Sequence, residues 1–125
     1  MSILVDTSVW VDHFKYGNDL LASLLRSGLV VCHPYLILEL ACGTPPDRSE
    51  ILKRLGDLNI IPVATSDELL TFIHRHKIYG QGCGMVDTAL LAATLMKPGT
   101  SLWTLDKRLL SLAEEFNCAY HSVQQ

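Results

Sequence analysis

Five short apolar runs alternate with helical patterns along this chain, and that alternation restricts the folds open to it. Apolar runs that favour strands lie at residues 2–6, 29–32, 59–64, 101–105 and 118–123. Between them, apolar spacing and breakers favour helices at 7–14, 19–27, 34–43, 47–58, 66–76, 85–97 and 107–117. Strands that alternate with helices form mainly parallel sheets covered by helices on both faces. We therefore predict an α/β fold with a sheet of about five strands.

Polar residues and glycines mark several boundaries between these elements. Asn18 and Asp47 are predicted to cap the helices that follow them, and Pro34 suits a first helical turn. The segment 79–84, with the sequence YGQGCG, contains three glycines just before a helix. It fits either a tight turn or a mobile substrate loop, and we favour the turn.

The composition is that of a single domain over residues 1–125. Hydrophobic residues make up 49% of the chain and charged residues 18%, which is enough apolar material for a core. No apolar run approaches the roughly 18 residues of a membrane span, and no secretory leader is visible. Cysteines without CxxC spacing indicate reduced, mostly buried thiols rather than zinc ligands. We expect a cytoplasmic protein without a membrane contact.

Four isolated acidic residues stand beside the apolar runs. Asp6 and Asp106 lie at the ends of two predicted strands, Asp87 lies at the start of a predicted helix, and Glu39 lies within an otherwise apolar helix. Ligands of parallel α/β sheets bind at the carboxyl ends of the strands, where these acids would meet. Taken singly, Asp6 and Asp106 could each be a helix cap and Asp87 a first-turn residue that complements the helix dipole. Taken together, the four acids favour one shared site.

A shared carboxylate site calls for a cation. Carboxylates a few ångströms apart repel one another and raise each other's pKa, and a divalent ion relieves the repulsion. Ligands that are all oxygen favour Mg²⁺ or Mn²⁺ over zinc. We therefore predict that Asp6, Glu39, Asp87 and Asp106 are both the metal ligands and the catalytic residues.

The motifs around these acids resemble those of PIN-domain ribonucleases. They are Asp6-Thr7-Ser8-Val9-Trp10, the isolated Glu39, the helix that starts Asp87-Thr88-Ala89, and Thr104-Leu105-Asp106. Their order and spacing are similar to the small VapC-type toxins of VapBC toxin–antitoxin pairs, over essentially the whole chain. The resemblance implies a PIN-like three-layer sandwich, with Ser8 and Thr104 as supporting residues of the acidic quartet.

The resemblance also implies an activity and partners. It implies a Mg²⁺- or Mn²⁺-dependent endoribonuclease that hydrolyses RNA phosphodiesters with a metal-activated water, and a cognate antitoxin. A mean hydropathy of +0.25 favours a homodimer as well. We expect the antitoxin to lay an apolar segment on the leucine-striped helices, near Leu21, Leu24, Leu25 and Leu55.

One basic residue is a candidate for binding substrate. Arg108 follows Asp106 by two residues and is within reach of a phosphate at the acids, although a surface ion pair is an equal alternative. The net charge of −3 argues against a broad basic nucleic-acid surface but not against a nuclease.

Two other functions remain open at this stage. The first is a PIN-like binding module without catalysis, which loss of one or more acids would favour, whereas all four are present. The second is an aspartyl-phosphate phosphotransferase of the haloacid-dehalogenase type. It needs a second acid two residues after the first, where this chain has Ser8. Metal-dependent cleavage of RNA separates these readings.

Overall fold

A four-stranded parallel sheet organises the part of the chain that the computed structural model describes, residues 1–121. The strands are β1 (Ser2–Val5), β2 (Val30–Cys32), β3 (Asn59–Ile60) and β4 (Thr100–Trp103), in the spatial order β3-β2-β1-β4. The helices in this range are α1 (Thr7–Tyr16), α2 (Asp19–Arg26), α3 (Pro34–Cys42), α4 (Arg48–Gly56), α5 (Ser66–His76), α6 (Met85–Met96) and α7 (Lys107–Glu115). The predicted α/β class and parallel sheet are confirmed.

Strand β1 lies in the middle of the sheet and is covered on both faces. Its residues Ile3, Leu4 and Val5 are all 0% exposed. Because successive side chains of a strand point to opposite faces, complete burial requires helices on both sides of the sheet. Val5 pairs with Trp103 of β4, and Leu4 pairs with Val31 of β2. The carboxyl ends of β1 and β4 therefore lie side by side.

Helix α6 is the most deeply buried helix of the described chain. Every residue from 88 to 94 is buried, which suits its run of alanine, leucine and threonine. Its two buried threonines return their hydroxyls to the backbone of the same helix: Thr88 Oγ1 donates to the Gly84 carbonyl at 2.9 Å and Thr94 Oγ1 to that of Leu90 at 2.8 Å. This packing fixes the first turn of α6, which holds Asp87.

Two of the five predicted strands, at 59–64 and 118–123, differ from the structure. The predicted strand at 59–64 is only two residues long and lies at the edge of the sheet. The Ile61 N–H just beyond it still donates to the Cys32 carbonyl at 2.8 Å, so Pro62 stands where an N–H would point away from β2. At the predicted strand 118–123, Ala119 forms an isolated parallel bridge with Leu102. Residues 122 and 123 lie outside the described part of the chain. The described sheet thus has four strands where about five were predicted.

Two smaller predictions also need correction. Asp47 precedes α4 as predicted, but its backbone is left-handed, with φ at 49°, and its side chain makes no capping hydrogen bond. The four cysteines are free, but only Cys32 and Cys118 are buried, whereas Cys42 is exposed. By contrast, Asn18 does cap α2, since its side-chain oxygen accepts from the Leu21 N–H at 3.0 Å. None of the helices within residues 1–121 is long and apolar enough to cross a membrane.

The caps of α4 and α5 should differ in their contribution to stability. Thr65 and Glu68 form a complete capping box on α5, so Thr65→Ala is expected to lower the free energy of unfolding by about 1 kcal/mol. The Asp47 side chain accepts no capping hydrogen bond, and the left-handed backbone at this position suits glycine. Asp47→Gly should therefore change that free energy by less than about 0.5 kcal/mol. Urea unfolding followed by circular dichroism measures both. An equal loss in the two variants would contradict the capping geometry.

Candidate active site

Asp6 occupies a position where a helix cap is expected, yet its side chain does something else. The residue precedes α1 with an extended backbone, but its carboxylate makes no capping hydrogen bond to a backbone N–H of the helix. Instead, Asp6 Oδ2 accepts from the Ser8 hydroxyl at 2.7 Å and from the Thr104 hydroxyl at 2.7 Å. The side chain is 5% exposed, and two hydroxyl donors offset part of the cost of burying a charge. Both hydroxyls bind Oδ2, so Oδ1 keeps its acceptor capacity for another ligand.

The two hydroxyls also join the ends of β1 and β4. Ser8 Oγ accepts from the Leu105 N–H at 2.9 Å, and Thr104 Oγ1 accepts from the Asp106 N–H at 3.0 Å. Each hydroxyl therefore accepts a hydrogen bond from a backbone N–H of the segment after β4 and donates a hydrogen bond to Asp6. The family resemblance implied that Ser8 and Thr104 support the acids. In the structure, their hydroxyls orient the Asp6 carboxylate and hold the segment after β4 beside it.

Asp106, unlike Asp6, does cap its helix. Asp106 Oδ1 accepts from the backbone N–H groups of Arg108 at 3.0 Å and Leu109 at 2.9 Å. The cap reading and the site reading are compatible here, because a cap engages one oxygen and the residue remains exposed. The first turn of α7 thus fixes the direction of the carboxylate.

Glu39 is held in place by Thr7, a residue of the first motif for which the sequence suggested no role in the site. Thr7 Oγ1 donates to Glu39 Oε1 at 2.6 Å and so links the start of α1 to the middle of α3. Glu39 is exposed although its neighbours in the sequence are apolar. The position of Thr7 directly after Asp6 was the signal that could have identified this contact.

Asp87 is the acid whose pKa is shifted by the charges of the other three. Its pKa is raised from 3.8 to about 6, first by burial and then by the negative charges of Asp6, Asp106 and, more weakly, Glu39. The backbone at Gly84 opposes the shift through a hydrogen bond. The fold therefore brings Asp6, Asp106 and Glu39 within electrostatic reach of Asp87, at the edge where α/β sheets bind ligands.

The quartet fits a divalent cation in its donors and charge. All four side chains offer oxygen, and the negative charges of Asp6, Asp106 and Glu39 add to burial in raising the pKa of Asp87. Within residues 1–121, however, no three His, Cys, Asp or Glu side chains are close enough together to hold a metal ion as they stand.

Arg108 lies beside the acids with its cationic group unengaged by other side chains. The residue is exposed, and within the described range its guanidinium takes part in no ion pair. Its positive charge reaches Cys83, whose pKa is raised by burial and by Asp87 and Asp106 and lowered by Arg108. Of the two interpretations of Arg108, the surface ion pair is not present in this part of the chain.

Cavities elsewhere do not coincide with the four acids. One of about 430 Å³ lies between α5 and α6, and another of about 260 Å³ borders Glu39 alone among the four. Two of the acids, Glu39 and Asp106, are exposed, so the edge of the sheet that carries them is open to solvent. Such an edge suits an extended polymer better than a small molecule that must be enclosed.

The chain is similar to a curated ribonuclease over almost its whole length. It is 41% identical over 117 residues to Ribonuclease VapC32 of Mycobacterium tuberculosis, strain CDC 1551 / Oshkosh, covering 94% of each chain. The identity and coverage are the same for Ribonuclease VapC32 of strain ATCC 25618 / H37Rv. No protein-family model matches the chain.

The raised pKa of Asp87 predicts how metal-free stability depends on pH. The folded state holds a proton on Asp87 more tightly than the unfolded state, so stability falls as pH rises from 3.8 to about 6 and stays lower above. Asp87→Asn removes this penalty. In EDTA the variant should be more stable than wild type at pH 8, and the difference should shrink below pH 4.

Urea unfolding across pH measures this difference. Asp57→Asn, which changes an exposed acid outside the quartet, is the control and should show no such dependence. A variant Asp87→Asn that is no more stable than wild type at pH 8 would contradict the electrostatic arrangement.

Proposed function

The chain belongs to the VapC ribonucleases, and on that premise we propose that it is the endoribonuclease toxin of a toxin–antitoxin pair. The substrate is RNA, and Asp6, Glu39, Asp87 and Asp106 bind Mg²⁺ or Mn²⁺. We place the enzyme in the cytoplasm. The observation that carries the proposal is the charge of three acids acting on Asp87 at one edge of the sheet. A non-catalytic module would have no need to keep this destabilising arrangement.

The cation is the source of the hydrolytic chemistry. When bound, it activates a water, orients the phosphodiester and stabilises the departing 3′ oxygen. The side chains around it prepare the site. Asp6 is oriented by Ser8 and Thr104, whose hydroxyls occupy Oδ2 at 2.7 Å each. Loss of a residue that orients a ligand in this way typically costs about 10-fold to 100-fold in metal affinity or activity.

Further contacts fix the positions of two other acids, and Arg108 binds the RNA. Asp106 is fixed by the first turn of α7, and Thr7 fixes Glu39. Arg108 supplies a cation for a phosphate oxygen beside the acids. Because the site is an open edge, we expect the RNA to be single-stranded or looped at the cut, where its backbone can reach the carboxylates.

A groove between α1, α2 and α4 is our candidate for the antitoxin. A cavity of about 210 Å³ there is lined by Trp10, His13, Phe14, Leu25, Ile51, Arg54, Leu55 and Leu58. Apolar grooves between helices accept one face of an amphipathic helix. Of the four leucines expected to contact the antitoxin, Leu25 and Leu55 line this cavity. Leu21 and Leu24 belong to the buried core beneath α2 and line no part of it.

We also propose that the toxin is a homodimer. Support comes from large apolar side chains that are exposed in the single chain, among them Leu70, Leu95 and Met96 beside the cavity between α5 and α6. Apolar surface of this kind is commonly covered by a second copy.

Substitution of the acids and their orienting hydroxyl should affect RNA cleavage to different degrees. Asp6→Asn and Asp87→Asn are expected to lower the cleavage rate about a hundredfold or more, and Thr104→Ala about tenfold. Thr100→Ala is the matched control, because Thr100 shares a hydroxyl contact of 2.8 Å with Ser2 at the opposite ends of the same strands. Thr100→Ala should retain wild-type cleavage.

The assay follows cleavage of a labelled RNA in Mn²⁺ or Mg²⁺, with EDTA as the metal-free arm. Cleavage should stop in EDTA. Full activity there, or unchanged activity in both aspartate variants, would refute the proposed site.

The antitoxin groove can be tested separately from catalysis. Ile51→Lys puts a charge into the groove wall and should weaken binding of the antitoxin by about tenfold or more while RNA cleavage continues. Ser49→Lys adds the same charge at an exposed position of α4 that does not line the groove, and should leave binding intact. Calorimetric titration with the product of the adjacent reading frame measures both, and equal effects would exclude this groove.

A further inference from the structure

Arg108 and the glycine-rich segment 79–84 lie against each other. A Cβ atom built on Gly82 would stand 2.7 Å from Arg108 Cδ, 2.9 Å from Nε and 3.0 Å from Cζ. Three consecutive atoms of the side chain therefore rest on the bare Cα of Gly82. Gly82 also has a left-handed backbone, with φ at +83°. Any residue other than glycine would occupy the space that the arginine uses.

The contact determines where the guanidinium can lie. The backbone N–H of Arg108 is bound to Asp106 Oδ1 at 3.0 Å, so one end of the residue is fixed beside an acid of the quartet. Gly82 supports the other end. Cys83, the next residue, is within electrostatic reach of Asp87, Asp106 and Arg108. The segment thus borders the acids and supports the cation next to them.

We propose that Gly82 is a positioning residue for RNA binding: its missing side chain forms a seat that holds Arg108 toward a phosphate at the acids. The inference rests on the proposed ribonuclease function and adds a residue that does not itself touch RNA. An arginine loses considerable freedom when it grips a phosphate, and a side chain already held in place loses less on binding. The glycine therefore contributes affinity through Arg108.

The same segment provides a matched control. Gly80 is also left-handed, with φ at +71°, but a Cβ there would have nothing within 4 Å. Alanine at either position meets the same backbone strain. Only alanine at position 82 displaces Arg108, whose flexible end can move aside without disturbing the core. Loss of stability should therefore be similar in the two variants, while loss of RNA binding should differ.

The experiment measures binding of a labelled single-stranded RNA of mixed sequence to the full chain by fluorescence anisotropy. Ca²⁺ replaces the active metals to slow cleavage. Gly82→Ala and Arg108→Ala should each weaken binding about threefold to tenfold and reduce the slope of log affinity against log salt by about 0.7. Gly80→Ala should bind as wild type does. The double variant should bind no more weakly than Arg108→Ala, because both changes remove the same contact.

Arg108→Lys tests the seat without altering the loop. Lysine keeps the charge but lacks the planar group that rests on Gly82, so it should bind more weakly than wild type. The proposal is overturned if Gly80→Ala weakens binding as much as Gly82→Ala. It is also overturned if Gly82→Ala weakens binding further when Arg108 is already alanine, or if Gly82→Ala or Arg108→Lys binds like wild type.

Cleavage in Mn²⁺ by wild type and by Asp87→Asn, from the same preparations, separates this inference from the proposed function. If wild type cleaves and Asp87→Asn does not, a failure at Gly82 concerns the seat alone. If wild type neither binds nor cleaves RNA, the proposed function and the seat fall together.

Discussion

The hydrogen bonds to the buried carboxylate of Asp6 are the interaction on which the rest of the candidate site depends. A carboxylate that is 5% exposed must have partners, and its partners come from the start of α1 and the end of β4. Those same hydroxyls accept N–H groups from the chain that leads to Asp106. The hydrogen bonds around this one carboxylate therefore connect the ends of β1 and β4, the starts of α1 and α7, and Asp106. The position of Asp6 after the central strand makes this possible.

Much of this arrangement follows from sequence, because it depends on local patterns. An apolar run that ends in Asp6 predicts a buried strand with an acid at its carboxyl end, and the strand–helix alternation predicts that other such ends lie at the same edge. The order of the strands does not follow from these patterns. That β1 lies between β2 and β4, so that Thr104 reaches Asp6, is decided by how helices pack on both faces.

The contacts that sequence reasoning missed are tertiary or conformational. Gly82 and Arg108 are far apart in the chain, and nothing in either local pattern indicates that one rests on the other. Asp47 has the right residue type for a cap, but its backbone is left-handed and its side chain makes no capping hydrogen bond. Strand β3 is an edge strand of only two residues, and the apolar pattern of 59–64 does not show where its pairing with β2 ends.

Charge explains how an acidic protein can handle a polyanion. The chain has a net charge of −3, and the charges of Asp6, Asp106 and Glu39 act on Asp87 at one edge of the sheet. Without a cation, that edge repels both its own members and a phosphate backbone. A bound divalent ion reverses the local field, and Arg108 adds one fixed positive charge beside it. Affinity for RNA would then arise at a few points next to the reacting phosphate rather than over a broad basic face. In that case each cation contributes a large share of binding, and the structure that holds a single arginine in place becomes important to function.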